Sequence, residues 1–162
     1  MALPDKERYR RLSLLFLLLA FLAAAFIFYN GLQGEEESMS RSDSWVEWIG
    51  KLIDPAGKLD PYWLSFGVRK AAHLSEYALY GFFGMLSIKC REKTGKRLYF
   101  FEAVTALLLT AIFDEFFQMF FGRTSAAYDV LIDACGGGIG MLLAAAVFAV
   151  IIRKRRKNDV TE

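Results

Sequence analysis

The sequence predicts an all-α, polytopic membrane protein: four transmembrane helices plus a short interfacial amphipathic helix on the outer side. Three observations lead there. Hydrophobic residues make up 55% of the 162-residue chain, and they gather in long runs instead of recurring at amphipathic spacing. The basic residues collect in alternate connections between those runs. The ionisable residues that interrupt the runs fall at a common depth. At this length the chain reads as one domain, residues 1–162.

The first run, Leu12 to Tyr29, contains Ser13 as its single polar residue. Its length suffices to cross roughly 30 Å of hydrocarbon as an untilted helix. Lys6, Arg8, Arg10 and Arg11 precede it and Ala23-Ala24-Ala25 imitates a cleavage site, so a secretory signal peptide competes. The apolar stretch exceeds signal-peptide length and three further runs follow, which favours an uncleaved anchor. Those runs are residues 66–88, 98–121 and 130–152.

Between the first two spans, Trp45, Trp48, Ile49, Leu52 and Ile53 recur at helical spacing. Ser44 and Glu47 fit a capping box at the start of a helix over residues 45–53. Two tryptophans on its apolar face suit the outer headgroup region, as a membrane-resting connector or, more sharply, as a lid. "DPAGKLDPYW" then turns the chain, with Tyr62 and Trp63 at aromatic-belt height.

Orientation follows from charge. The N-terminal segment, the connection "KCREKTGKR" and the tail "RKRRK" carry 14 of the 20 Lys and Arg residues. Four spans put all three on one side, so both termini are expected in the cytoplasm. Net charge is only +2 and no reading module is present, which excludes nucleic acid as the partner of the basic tail; it is a topology signal that can touch anionic lipid. Cys90 is expected in the cytoplasmic connection and Cys135 inside the fourth span, too far apart for a disulfide.

The polar intruders are the informative part. Arg69, His73, Glu76 and Tyr77 share one face of the second span. His73 lies about 10 Å below its outer edge, Asp114 about 10 Å below that of the third span, and Asp133 roughly 8 Å below that of the fourth. Asp129 and Asp133 are one turn apart on the same face. A lone charge near the bilayer centre costs about 2.5–3.5 kcal/mol on insertion scales, so these groups are expected to face one another. Arg69, Lys70 and Arg123 stand against Glu76, Asp114, Glu115, Asp129 and Asp133, leaving the group acidic. A protonated His73, a neutral buried carboxyl or a divalent cation would each reduce that imbalance. Gly136 and Gly140 continue the Asp129/Asp133 face as a small-residue seam. "CGGGIG" has neither the strand nor the Lys-Ser/Thr of a phosphate loop, so it reads as helix packing. Glu102, near the cytoplasmic end, is expected to snorkel or to pair with the basic connection.

"RKAAHLSEYALYGFF" and "DEFFQMFFGRTSAAYDVLIDACGGGIG" together resemble the VanZ-like membrane proteins. Their pattern is Lys/Arg-x-x-His-x-x-x-Tyr, then Asp-Glu-x-x-Gln, Gly-Arg, and Asp-x-x-x-Asn leading into a glycine-rich span. Lys70, His73, Tyr77, Asp114, Glu115, Gln118, Gly122, Arg123 and Asp129 fall on it, over nearly the whole chain. Asp133 departs where the family usually has Asn. The resemblance implies association with glycopeptide resistance, notably to teicoplanin, or with cell-envelope modification, without an established reaction.

The leading expectation is an outer-leaflet site that binds or processes an anionic lipid or lipid-linked envelope precursor. Arg69, Lys70 and Arg123 would hold its phosphate or carboxylate, with Tyr77, Gln118, Asp129 and Asp133 lining the site. His73 would act as acid or base, tuned by Glu76, Asp114 or Glu115. A metal-dependent version takes His73, Glu76, Asp114 and Asp129 as ligands of zinc or manganese. A non-catalytic binder or transporter-like protein, and a self-satisfied polar network locking three helices, are the competing classes. Oligomeric state is left open.

Overall fold

The structure, a computed structural model, describes residues 3–54, 57–95, 99–122 and 127–161. It is all-α: α1 (Leu3–Gly31), α2 (Glu35–Ile53), α3 (Pro61–Glu92), α4 (Phe100–Phe120) and α5 (Ala127–Thr161), with no strand among the described residues. Of these, α1 and α5 contain segments long and apolar enough to cross a membrane, Asp5–Gly31 and Ala127–Lys154. At 32 and 21 residues, α3 and α4 also reach spanning length, but the charged groups of the polar cluster interrupt them.

Each long helix overruns its apolar run. α1 starts in the basic segment before Leu12, α3 starts at Pro61, and α5 continues through the basic tail. An apolar run marks the part of a helix that meets lipid, whereas the helix itself ends only where its backbone is stopped. At the start of α3 the Asp60 carboxylate accepts from the Tyr62 amide at 2.8 Å, and Pro61 occupies the first turn. At the end of α4, Gly122 takes φ +74, the left-handed conformation that terminates a helix without a Cβ penalty. Cys90 consequently lies within α3 and not in a connection; it is buried, Cys135 is exposed, and both are free thiols.

The connector helix departs most from expectation. α2 begins at Glu35, ten residues before the position the aromatic spacing indicated, with Gly34 as its N-cap. Ser44 is therefore mid-helix and caps nothing. Glu47 instead pairs with Lys51 one turn on, at 2.7 Å, and that cation holds the Glu47 carboxyl below its ordinary pKa. Trp45, Trp48, Leu52 and Ile53 remain exposed on its surface, while Gly50 rests against the Leu64 side chain of α3.

α3 is the central helix, packed most extensively on α5 and α1, with α4 laid across the other three. Its seam with α5 is backbone against backbone. A Cβ on Gly136 would strike the Leu74 carbonyl, one on Gly140 the Ala78 carbonyl, and one on Gly81 the backbone of Gly137. Gly136 and Gly140 meet Leu74 and Ala78 in the same ascending order, so α3 and α5 run parallel. α1 runs antiparallel to both: the Ser87 hydroxyl donates to the Ser13 carbonyl at 2.8 Å, and Tyr9 meets Phe148 edge-on. The Ser13 hydroxyl, 3.3 Å from that of Ser87, gives the one polar residue of the first apolar run a structural use, since an interhelical hydrogen bond in an apolar setting is worth about 0.6 kcal/mol. Met85, Leu86, Leu107, Met141 and Ala144 form the apolar core at this end of the bundle.

Candidate functional site

At the other end the bundle is inside out. Asp133 is 0% exposed, Asp114 1%, and Glu115, Gln118 and Asp129 are buried beside them. Phe116, Phe120 and Leu131 on the same helices are 50%, 70% and 66% exposed. The helix period accounts for this division: in "FDEFFQMFF" the polar positions 114, 115 and 118 fall on one face of α4 and most of the phenylalanines on the other. Apolar side chains directed outward around a polar interior suit a lipid surrounding.

The cluster collects residues from four helices. His73 of α3, Asp114 and Glu115 of α4 and Asp133 of α5 each offer a ligand-type atom, and these atoms lie within 4.8 Å of one another. His73 Nδ1 stands 3.6 Å from Asp133 Oδ1, close enough for an ion pair and too far for a hydrogen bond. Neither oxygen of Asp133 has a hydrogen-bond partner among the described residues, nor does the fully buried Tyr77 hydroxyl. Gln118 Nε2 donates to Asp114 Oδ2 at 3.1 Å and so fixes that carboxylate's rotation.

Two other acidic residues leave the central group. Lys70 forms an ion pair with Asp129 at the mouth of the cluster, with the ammonium also near the faces of Phe66 and Tyr128, 5.2 and 4.9 Å from their centroids. Asp129 sits in the first turn of α5, where the helix N-terminus also favours a carboxylate. Glu76 accepts from Asn30 Nδ2 of α1 at 2.9 Å. Of the residues the sequence offered as metal ligands, His73 and Asp114 lie in this group together with Glu115 and Asp133, while Glu76 and Asp129 are drawn to Asn30 and Lys70. Arg69 is partly buried on α3 and no ion pair joins it to another described residue. Arg123 lies outside the described residues.

Sequence reasoning assigned the cluster to three helices and missed α1. Asn30 and Gly31 close that helix against the acidic residues: Asn30 donates to Glu76, and a Cβ on Gly31 would collide with Asp114 Oδ1. A Gly immediately after an apolar run, preceded by Asn, was the available signal; bounding the first span at Tyr29 hid it. Below the cluster, a cavity of about 220 Å³ opens between α1, α3 and α4, lined by Leu17, Ala20, Gly84, Ala103 and Leu107, with Arg91 and Glu102 at its far end.

An all-α bundle with two span-length apolar helices and a buried, acid-rich interior suits a helical membrane protein. The chain belongs to the VanZ/LLP1 family, whose model matches residues 16–151. No curated protein and no solved structure matches it.

Proposed function

We propose that the chain crosses the membrane four times with both termini cytoplasmic, and that its polar chamber, opening near the outer face, binds an anionic lipid headgroup or lipid-linked envelope group. Packing supports the span count. α3 contacts α1 at Ser13 and again at Glu76–Asn30, points about 25 Å apart along α1 at 1.5 Å per residue. A helix flanking α1 over that length shares its depth in the bilayer, and α4 and its outward phenylalanines lie alongside. Lys6 and Arg10 line one hollow with Arg91 and Thr94, which gathers the basic segments at the end opposite the cluster, as a cytoplasmic face requires. Reporter fusions at either terminus are expected to be active only inside the cell; an external terminus would overturn this topology.

The observation that carries the functional reading is the convergence of His73, Asp114, Glu115 and Asp133 in a buried space. A helix lock needs fewer ionisable groups, and each one kept near hydrocarbon costs free energy. Arg69, Lys70 and Arg123 supply cations for a phosphate or carboxylate, and His73 is the group suited to exchange a proton with it. The apolar cavity between α1, α3 and α4 suits part of an acyl chain. Family membership supports a cell-envelope context, with glycopeptide resistance of the teicoplanin type as the phenotype to assay. His73→Ala and Arg123→Ala, at normal membrane abundance, are expected to abolish that resistance or the accompanying lipid change. Wild-type behaviour of both variants would refute the proposal.

A further inference from the structure

A chamber meant for an anionic group needs positive charge at its centre, yet the atoms that converge there with His73 belong to Asp114, Glu115 and Asp133. Asp133, wholly buried and with neither oxygen in a hydrogen bond among the described residues, has to be offset in a space closed to bulk water. Three solutions exist: a protonated His73 beside it, a proton shared between carboxyls, or a cation held between the four groups.

The spacing favours the cation. Shared protons draw oxygens to hydrogen-bonding distance, about 2.5–2.7 Å, and an imidazolium donating to a carboxylate approaches within about 3.2 Å. Asp133 has neither oxygen in a hydrogen bond among the described residues, and His73 Nδ1, 3.6 Å away, likewise lacks a hydrogen-bond partner there. Atoms bound to one central ion at about 2.0–2.2 Å stand about 3–4.3 Å from one another, depending on coordination number. The four candidate atoms all lie within 4.8 Å of each other, and the 3.6 Å between His73 Nδ1 and Asp133 Oδ1 falls inside that range and beyond hydrogen-bonding distance. Tyr77, adjoining the group but not part of it, points a fully buried hydroxyl with no hydrogen-bond partner, a group able to serve a water or substrate oxygen held by an ion. The Gln118 hydrogen bond to Asp114 Oδ2 is the outer support that ligating carboxylates commonly have.

We propose that His73, Asp114, Glu115 and Asp133 bind one divalent first-row transition-metal ion, and that this ion presents positive charge to the anionic group in the chamber. One imidazole nitrogen with three carboxylates suits manganese or zinc; calcium and magnesium sites are built from oxygen alone. The inference deepens the lipid-binding reading by naming what receives the anion, with His73 then serving as a ligand in place of a proton carrier, and rests on that reading for the ion's use but not for the ion's presence.

The test is titration of the purified full-length chain in detergent, after chelator treatment, with manganese chloride followed by electron paramagnetic resonance and with zinc chloride followed by elemental analysis. One ion per chain at micromolar concentration is expected. Asp133→Asn and Glu115→Gln are expected to weaken binding at least about 100-fold, while Glu47→Gln, on the exposed face of α2, leaves it unchanged. Circular dichroism confirms that the variants are helical, and the wild-type titration decides the matter even where a variant does not fold. No stoichiometric ion in the wild-type protein, or undiminished binding in a folded Asp133→Asn variant, overturns the proposal. If the metal fails to bind while His73→Ala still abolishes resistance, the lipid-binding reading survives alone. If the metal binds but His73→Ala and Arg123→Ala are functionally silent, the site stands and the lipid-binding reading falls.

Discussion

Gly140→Ala will destabilise the bundle by about 2–3 kcal/mol, whereas Gly138→Ala, two residues away on the same helix, will stabilise it by up to about 1 kcal/mol. Both changes add one methyl group and improve helix propensity equally. Their signs differ because of what the methyl meets. At Gly138 no atom lies within 4 Å, while at Gly140 the new Cβ runs into the Ala78 carbonyl of α3. A backbone carbonyl cannot rotate aside as a flexible side chain can, so α3 and α5 must separate. Their separation would loosen the packing of the core that includes Met85 and Met141 and would change the distance between His73 and Asp133. Thermal unfolding in detergent measures both variants. Equal shifts would mean that the glycine seam is not a contact between backbones.

Lys70→Met should cost about 3–5 kcal/mol, because it leaves the Asp129 carboxylate buried without its cation. The partly exposed ammonium places the expected value at the lower end of that range. Asp129→Leu alone strands a lysine that still reaches the aromatic faces of Phe66 and Tyr128, so it should cost less. The double variant, Lys70→Met with Asp129→Leu, should recover most of the stability, since an apolar pair of similar volume no longer has charges to desolvate. Unfolding of the two single variants and the double variant measures the coupling. Simple additivity of the two single effects would exclude a direct interaction. Under the proposed function, in which Lys70 helps to hold the anionic group, resistance should be lost in the double variant even where stability returns.

Much of the site was legible because buried charge is conspicuous against an apolar background. Counting along each helix put His73, Asp114 and Asp133 at one level, and those three do meet. The grouping of Gly136 and Gly140 into a packing seam was legible for a related reason: spacing of four puts small residues on one face, and a face of glycines leaves room for a second backbone. Pairing was not legible. Depth along a helix says nothing of which of several carboxylates at that depth turns toward a given cation. Lys70 chose Asp129 and Asn30 chose Glu76 through the rotation and crossing of helices, which no linear count contains. Helix limits were legible only in part, since hydropathy reports surroundings and not backbone hydrogen bonding. α2 therefore reached back to Glu35 through a polar stretch that gave no apolar signal.

The sequence by itself determined an all-helical chain rich enough in apolar residues for a membrane, the face on which each helix carries its polar groups, and the depth they share. Those properties depend on one helix at a time, through a fixed rise and period. Only the tertiary structure decided that α1 closes the chamber with Asn30 and Gly31, that Glu76 and Asp129 are drawn away, and that His73, Asp114, Glu115 and Asp133 are left facing one another. Partner choice within a group of like charges is set by distances between helices, and those follow from how closely their backbones pack.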